Sequence, residues 1–115
     1  MMIARIEFLQ NINETTLPII KLTKSRNGKT GTATFIFINP NSLTNVYLWK
    51  KKIHSLTLIS NKQTIKTTDI MIFFKNGQPF LIKGIFIFKN SEEWFLFLNF
   101  MRDYSKQSGL SFSEK

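Results

Sequence analysis

Apolar and polar positions alternate from the start of the chain. Ala4, Ile6 and Phe8 fall on one side and Arg5 and Glu7 on the other, the period of two that marks a strand with one buried face. Polar residues from Gln10 to Thr16 break the pattern. It resumes over Leu17–Thr23, where Ile20 and Leu22 share a face and Pro18 suits an edge strand or a strand's first residues. Asn27-Gly28, inside the turn-rich stretch Lys24–Gly31, is a strong hairpin signal. A strand over Thr32–Ile38 follows, with Ala33, Phe35 and Phe37 on its core face and Thr34, Ile36 and Ile38 on the other; Asn39-Pro40 stops it. Ile53–Ser60, a turn at Asn61-Lys62-Gln63, and Thr64–Phe74 read as a second hairpin. Asn76-Gly77 turns the chain into a last strand, Phe80–Phe88, in which Gly84 marks a bulge or a close approach. Asn41–Lys52 carries no readable period.

The period then becomes helical. Asn90 is placed to cap, and Glu93 three residues on completes a capping-box-like pattern; Glu92 and Glu93 also suit the positive end of a helix. Trp94, Phe97, Leu98, Met101 and Tyr104 form one stripe, and Gly109 is a natural stop. The expected fold is α+β: one domain over residues 1–115, with a single antiparallel or mixed sheet of about five strands and one long C-terminal helix packed across it. Phe95 sits in the middle of the polar face with Asn99, Arg102 and Lys106, flanked by Leu96 and Phe100. The helix is therefore expected either to be covered on more than one side or to offer Phe95 as an accessory contact to a partner or a membrane surface.

Composition narrows the chemistry. At 115 residues the chain is long enough for one real core and no more. It has no cysteine, which excludes disulfides, thiolate metal sites and a Cys nucleophile, and its single histidine, His54, argues against a zinc site. No apolar run is longer than that of Trp94–Leu98, which is too short to cross a bilayer, and the opening Met1–Glu7 lacks the apolar stretch of a signal peptide. Sixteen Lys and Arg face seven Asp and Glu, a net charge of +9. Phe, Ile, Lys and Asn make up 50 of the residues, and all four are read from A/T-rich codons. Base composition is thus one explanation of much of the basicity, and a footprint for nucleic acid or an anionic membrane is the alternative.

Candidate chemistry is sparse. Gly28-Lys29-Thr30 resembles the end of a phosphate-binding loop, but Thr23 stands where that motif needs glycine, and a strand follows where it needs a helix. Gly31–Phe37 loosely matches the core strand of an RNA-recognition motif. Its base-stacking positions would be Thr32 and Thr34, which cannot stack. Phe73-Phe74 or Phe86 remain as aromatics that a second sheet could turn to solvent, and Lys50-Lys51-Lys52 as a phosphate contact. No acid neighbours His54 in sequence, and Glu92-Glu93 is explained by capping, so nothing points to catalysis.

One stretch resembles a known family. Leu22-Thr23-Lys24-Ser25-Arg26-Asn27-Gly28-Lys29-Thr30-Gly31-Thr32-Ala33-Thr34-Phe35-Ile36-Phe37, followed by Asn39-Pro40, is similar to the signature of the Psb28 photosystem II assembly-factor family. Asn76-Gly77-Gln78-Pro79, Glu93-Trp94, Phe97, Phe100-Met101, Tyr104 and Leu110–Ser113 match it further, so the likeness runs from Ala4 to Ser113. It implies a non-catalytic protein without cofactor or metal, bound to the stromal side of plastid thylakoids, or to the cytoplasmic side in a cyanobacterium. The implied partners are photosystem II assembly intermediates containing the inner antenna CP47, the reaction-centre proteins and neighbouring cytochrome b559. It implies contact partly by extending the sheet with partner backbone. Lys29 stands where the family has Asp, and Trp49-Lys50-Lys51-Lys52 and Asn61-Lys62 where relatives tend to be acidic. Transferred to matching positions, the partner-binding residues are Lys24, Arg26, Lys29, Thr30, Thr32 and Thr34, with Phe95 as the accessory contact. The alternative from charge alone is a small basic RNA-binding module.

Overall fold

The computed structural model describes residues 4–44, 53–61 and 63–110. The unread stretch 45–52, with its three lysines, and the tail 111–115 lie outside the described residues.

Among the described residues, eight strands and a long helix are arranged around one core. The strands are β1 (Ala4–Leu9), β2 (Ile12–Asn13), β3 (Ile19–Lys24), β4 (Gly31–Ile38), β5 (Leu56–Ser60), β6 (Gln63–Thr67), β7 (Ile70–Lys75) and β8 (Gln78–Phe88). A single helical turn, α1 (Asn41–Thr44), follows β4, and the long helix α2 covers Ser91–Ser108. The expected single sheet of about five strands is incorrect. There are two four-stranded antiparallel sheets, ordered β2-β1-β5-β6 and β3-β4-β8-β7. The error lies in Thr64–Phe74, which is two strands. Thr67 accounts for the break: its hydroxyl donates to the Ile85 carbonyl at 2.8 Å and accepts from the Asp69 amide at 3.1 Å. The chain turns at Thr68-Asp69, so β6 stays in the first sheet and β7 joins the second.

The alternating pattern otherwise holds. Ala4, Ile6 and Phe8 on β1, Ala33, Phe35 and Phe37 on β4, Leu56 and Leu58 on β5, and Ile82, Phe86 and Phe88 on β8 are all buried in one cluster with the α2 stripe. Phe8 and Phe37 meet edge to face at 4.9 Å, one from each sheet, a geometry that suits the ring quadrupoles. Gly84 marks a close approach and not a bulge. It pairs regularly with Phe35, and a Cβ there would lie 2.6 Å from Leu56 Cδ2 of the other sheet. The bulge falls instead at Phe73/Phe74.

Helix α2 is capped as its sequence predicts at both ends. Asn90 Oδ1 accepts the Glu93 amide at 2.9 Å, while Glu93 reaches back one residue further, to the Lys89 amide at 2.7 Å. Gly109 adopts φ 81° and donates to the Ser105 carbonyl, the left-handed ending glycine allows. The helix is held to both sheets. Phe97 packs on Phe88 and Phe35 of the second sheet, and the Gln107 amide clasps both backbone groups of Ala4 in the first, at 2.8 and 2.7 Å. Phe100, read from sequence as flanking the polar face, is fully buried and stacks on Tyr104.

Burial, and after it the charge of Glu14, raises the Tyr104 hydroxyl from 10.0 to about 12. The folded state therefore holds this proton more tightly than the unfolded chain. Its stabilising contribution is whole below pH 10 and disappears as pH rises from 10 to about 12. Thermal unfolding in that window should show a fall in melting temperature that Tyr104→Phe flattens. An equal fall in the variant would assign the loss to other groups.

Candidate protein-binding edge

The segment singled out from sequence folds into the β3–β4 hairpin at one margin of the second sheet. Its turn is bonded from within. The Ser25 amide donates to the Thr30 carbonyl and the Gly28 amide to the Ser25 carbonyl, both at 3.0 Å. The Asn27 side chain accepts from the Lys29 amide at 2.9 Å and from the Ser25 hydroxyl at 2.6 Å, and Ser25 Oγ in turn accepts the Thr30 amide at 3.2 Å. Gly28 takes φ 70°, a conformation that disfavours any side chain. These bonds use the small polar residues of the turn and leave Lys24, Arg26 and Lys29 exposed at its surface. Gly31 fixes the base of the hairpin: a Cβ there would meet the Thr23 carbonyl at 2.7 Å and the Trp94 ring at 3.0 Å. The absent side chain is the space the helix's first aromatic occupies.

Among the described residues strand β3 pairs with β4 on one side only, and it ends the sheet. The bonding pattern shows which of its backbone groups are open. Because Ser25 bonds to Thr30, the pairs Thr23–Thr32, Lys21–Thr34 and Ile19–Ile36, two residues apart in the same register, are the hydrogen-bonded ones. The amides and carbonyls of Ile20 and Leu22 therefore point away from the sheet. The same count carried across β4 leaves Ile85 of β8 pointing away from β4, where its amide indeed bonds to the Asp69 carbonyl.

Of the expected binding residues, Thr32 and Thr34 lie on the outer face of the second sheet, opposite the core. Thr30 sits half-exposed at the hairpin's base, and Lys24, Arg26 and Lys29 lie along the turn. These six belong to one hairpin. Phe95 does not join them. It is 61% exposed, but α2 packs on the inner face of the sheet, so it projects on the other side of the molecule. Of the aromatics considered for base stacking, Phe35, Phe37 and Phe86 are core, and Phe73 and Phe74 of β7 are exposed to solvent.

Glu7, Glu14 and His54 lie apart from this hairpin. Glu7 accepts from the Asn11 amide and lies 3.1 Å from Arg5 Nε. Glu14 is buried, and its two oxygens accept the amides of Thr16, Asn41 and Ser42 at 2.9–3.0 Å. It is a latch holding the chain after β2 to the start of α1, and sequence reading missed it because its partners lie 27 and 28 residues away. His54 is exposed in the segment before β5. Among the described residues no group of three or more His, Asp or Glu could hold a metal ion, and no helix is long and apolar enough to cross a membrane.

The fold and site together define a small two-sheet α+β domain whose most distinctive surface is an open strand edge beside a basic turn. The chain belongs to the Psb28 family: the profile described as Psb28 protein matches residues 6–112. It is 39% identical over 113 residues to the photosystem II reaction center Psb28 protein of Thalassiosira pseudonana, covering 98% of this chain and 99% of that one. It is 41% identical over 111 residues to the protein of the same description from Trieres chinensis, covering 96% of each. The Synechococcus elongatus protein of that description is 34% identical over 113 residues, covering 98% of this chain and 99% of its own.

Proposed function

We propose that this protein is a non-catalytic photosystem II biogenesis factor. It attaches transiently to the stromal or cytoplasmic face of assembly intermediates that contain the inner antenna CP47 and the reaction-centre core, as a peripheral thylakoid protein. The relatives' names supply the photosystem, and their algal and cyanobacterial hosts are consistent with a plastid setting. The observation that carries the contact mode is the open edge of β3. Backbone groups of Ile20 and Leu22 offer a partner strand a ready ladder, in which main-chain bonds supply affinity and alternate side chains supply specificity. Arg26 and Lys29 lie beside it to receive acidic groups of the partner.

The edge allows a clean test. The Leu22 amide points outward, so Leu22→Pro removes a donor from the free edge without removing a bond to β4, the arrangement in which sheets tolerate proline. The variant should keep a cooperative melting transition and lose recovery with chlorophyll-binding photosystem II complexes from solubilised thylakoids. Undiminished recovery would sink the strand-addition reading. Recovery of the native protein only in ribonuclease-sensitive particles would favour the basic RNA-binding alternative.

A further inference from the structure

The second sheet has a second face, and its composition is unusual. In an antiparallel sheet with one buried side, the other side is ordinarily polar. Here register places the residues in rows: Ile38, Leu81 and Phe73; then Ile19, Ile36, Lys83 and Met71; then Lys21, Thr34 and Ile85; then Thr23, Thr32 and Ile87. The first two rows are apolar except for one amine, and Ile19, Ile38, Met71 and Phe73 are each 40–50% exposed. Strand spacing and rise give the whole four-row face about 15 Å by 20 Å, of which the two apolar rows make up about half; contiguous apolar patches of a few hundred Å² on single chains are often functional.

We infer that this outer face is a docking surface for a protein partner that presents an apolar patch with a carboxylate at its centre, positioned over Lys83. The charges decide the occupant. Lys21, Lys83 and Lys75 at the end of β7 are the charged side chains that the strands place on this face, and no described ion pair reaches any of the three amines. Lys83 lies between Ile36 and Met71, in the middle of the apolar rows and not at their rim. A partner carboxylate could pair with it while the surrounding side chains exclude water, which strengthens the ion pair. A bilayer suits the opposite arrangement, with apolar groups central and lysines at the margin reaching headgroups. Continuity points the same way. A strand added to β3 would extend the rows of Ile19, Lys21 and Thr23, so a partner bound at the edge is already beside this face. The inference rests on the edge reading for its partner, and its test separates the two.

The test uses the full chain, tagged, with detergent-solubilised photosystem II complexes as the probe. Lys83→Glu and Phe73→Ser should each weaken capture about tenfold or more, with melting temperatures near that of the native protein. Lys83 should also be protected from amine acylation in the complex, while Lys66, on the other sheet, stays reactive. Should both variants capture normally and Lys83 remain reactive while Leu22→Pro fails to capture, the docking face falls and the edge stands. Normal capture by all three variants overturns both readings. If the free protein sediments with phosphatidylglycerol vesicles and Lys83→Glu abolishes that, the occupant is a lipid surface and the protein-docking inference is wrong.

Discussion

Phe35→Ala is expected to remove about 3–5 kcal/mol of stability, the range for truncating a buried phenylalanine. Phe35 is fully buried, and its ring meets Phe37, Phe86 and Phe97 at 6.3, 5.4 and 6.1 Å. It therefore touches its own strand, the neighbouring strand and the helix at once, and no single element can move to fill the space it leaves. A domain of this size has about 5–15 kcal/mol in all, so the variant should be close to unfolding at ordinary temperature. Ile36→Ala is the matched comparison. Ile36 is the next residue on the same strand but faces outward and is half-exposed, so its truncation should cost well under half as much. Urea denaturation with unchanged slope measures both. Similar losses at the two positions would mean that the core is not centred where the ring contacts place it.

Glu14→Ala should be the second largest loss, about 3 kcal/mol or more. The substitution strips acceptors from the amides of Thr16, Asn41 and Ser42, and an orphaned buried donor costs about 1–3 kcal/mol. Glu14→Gln keeps one acceptor oxygen and should lose less. It also removes the negative charge that contributes to raising Tyr104, so the tyrosine should titrate lower in Glu14→Gln than in the native protein. A Glu14→Ala protein as stable as the native one would show that water replaces the carboxylate at those amides.

Much of the architecture is legible in the chain because it depends on local period. The alternation at Ala4–Phe8 and Thr32–Ile38, the hairpin at Asn27-Gly28 and the caps at Asn90 and Gly109 all act over a few residues, and each is present in the fold. The two-sheet division is not local. Nothing at Thr68-Asp69 resembles a turn dipeptide; the break depends on a hydroxyl bonding to a carbonyl 18 residues away. Glu14 looks like one more acid in a polar loop until Asn41 and Ser42 come beside it. The β3–β4 hairpin is readable as a segment, whereas the face beside it is not. Ile19, Ile38, Met71 and Phe73 come from three different strands, and only their register makes them neighbours.

The lysines of β3 also decide what the edge refuses. A bare strand edge is a template for any other strand, including the same edge of a second molecule. If two β3 strands met antiparallel about Leu22, four ammonium groups, Lys21 and Lys24 from each copy, would be gathered along one short ladder, between molecules that each carry +9. Neutral or acidic strands meet no such repulsion. The charge thus disfavours a second copy at this edge relative to a strand of opposite sign.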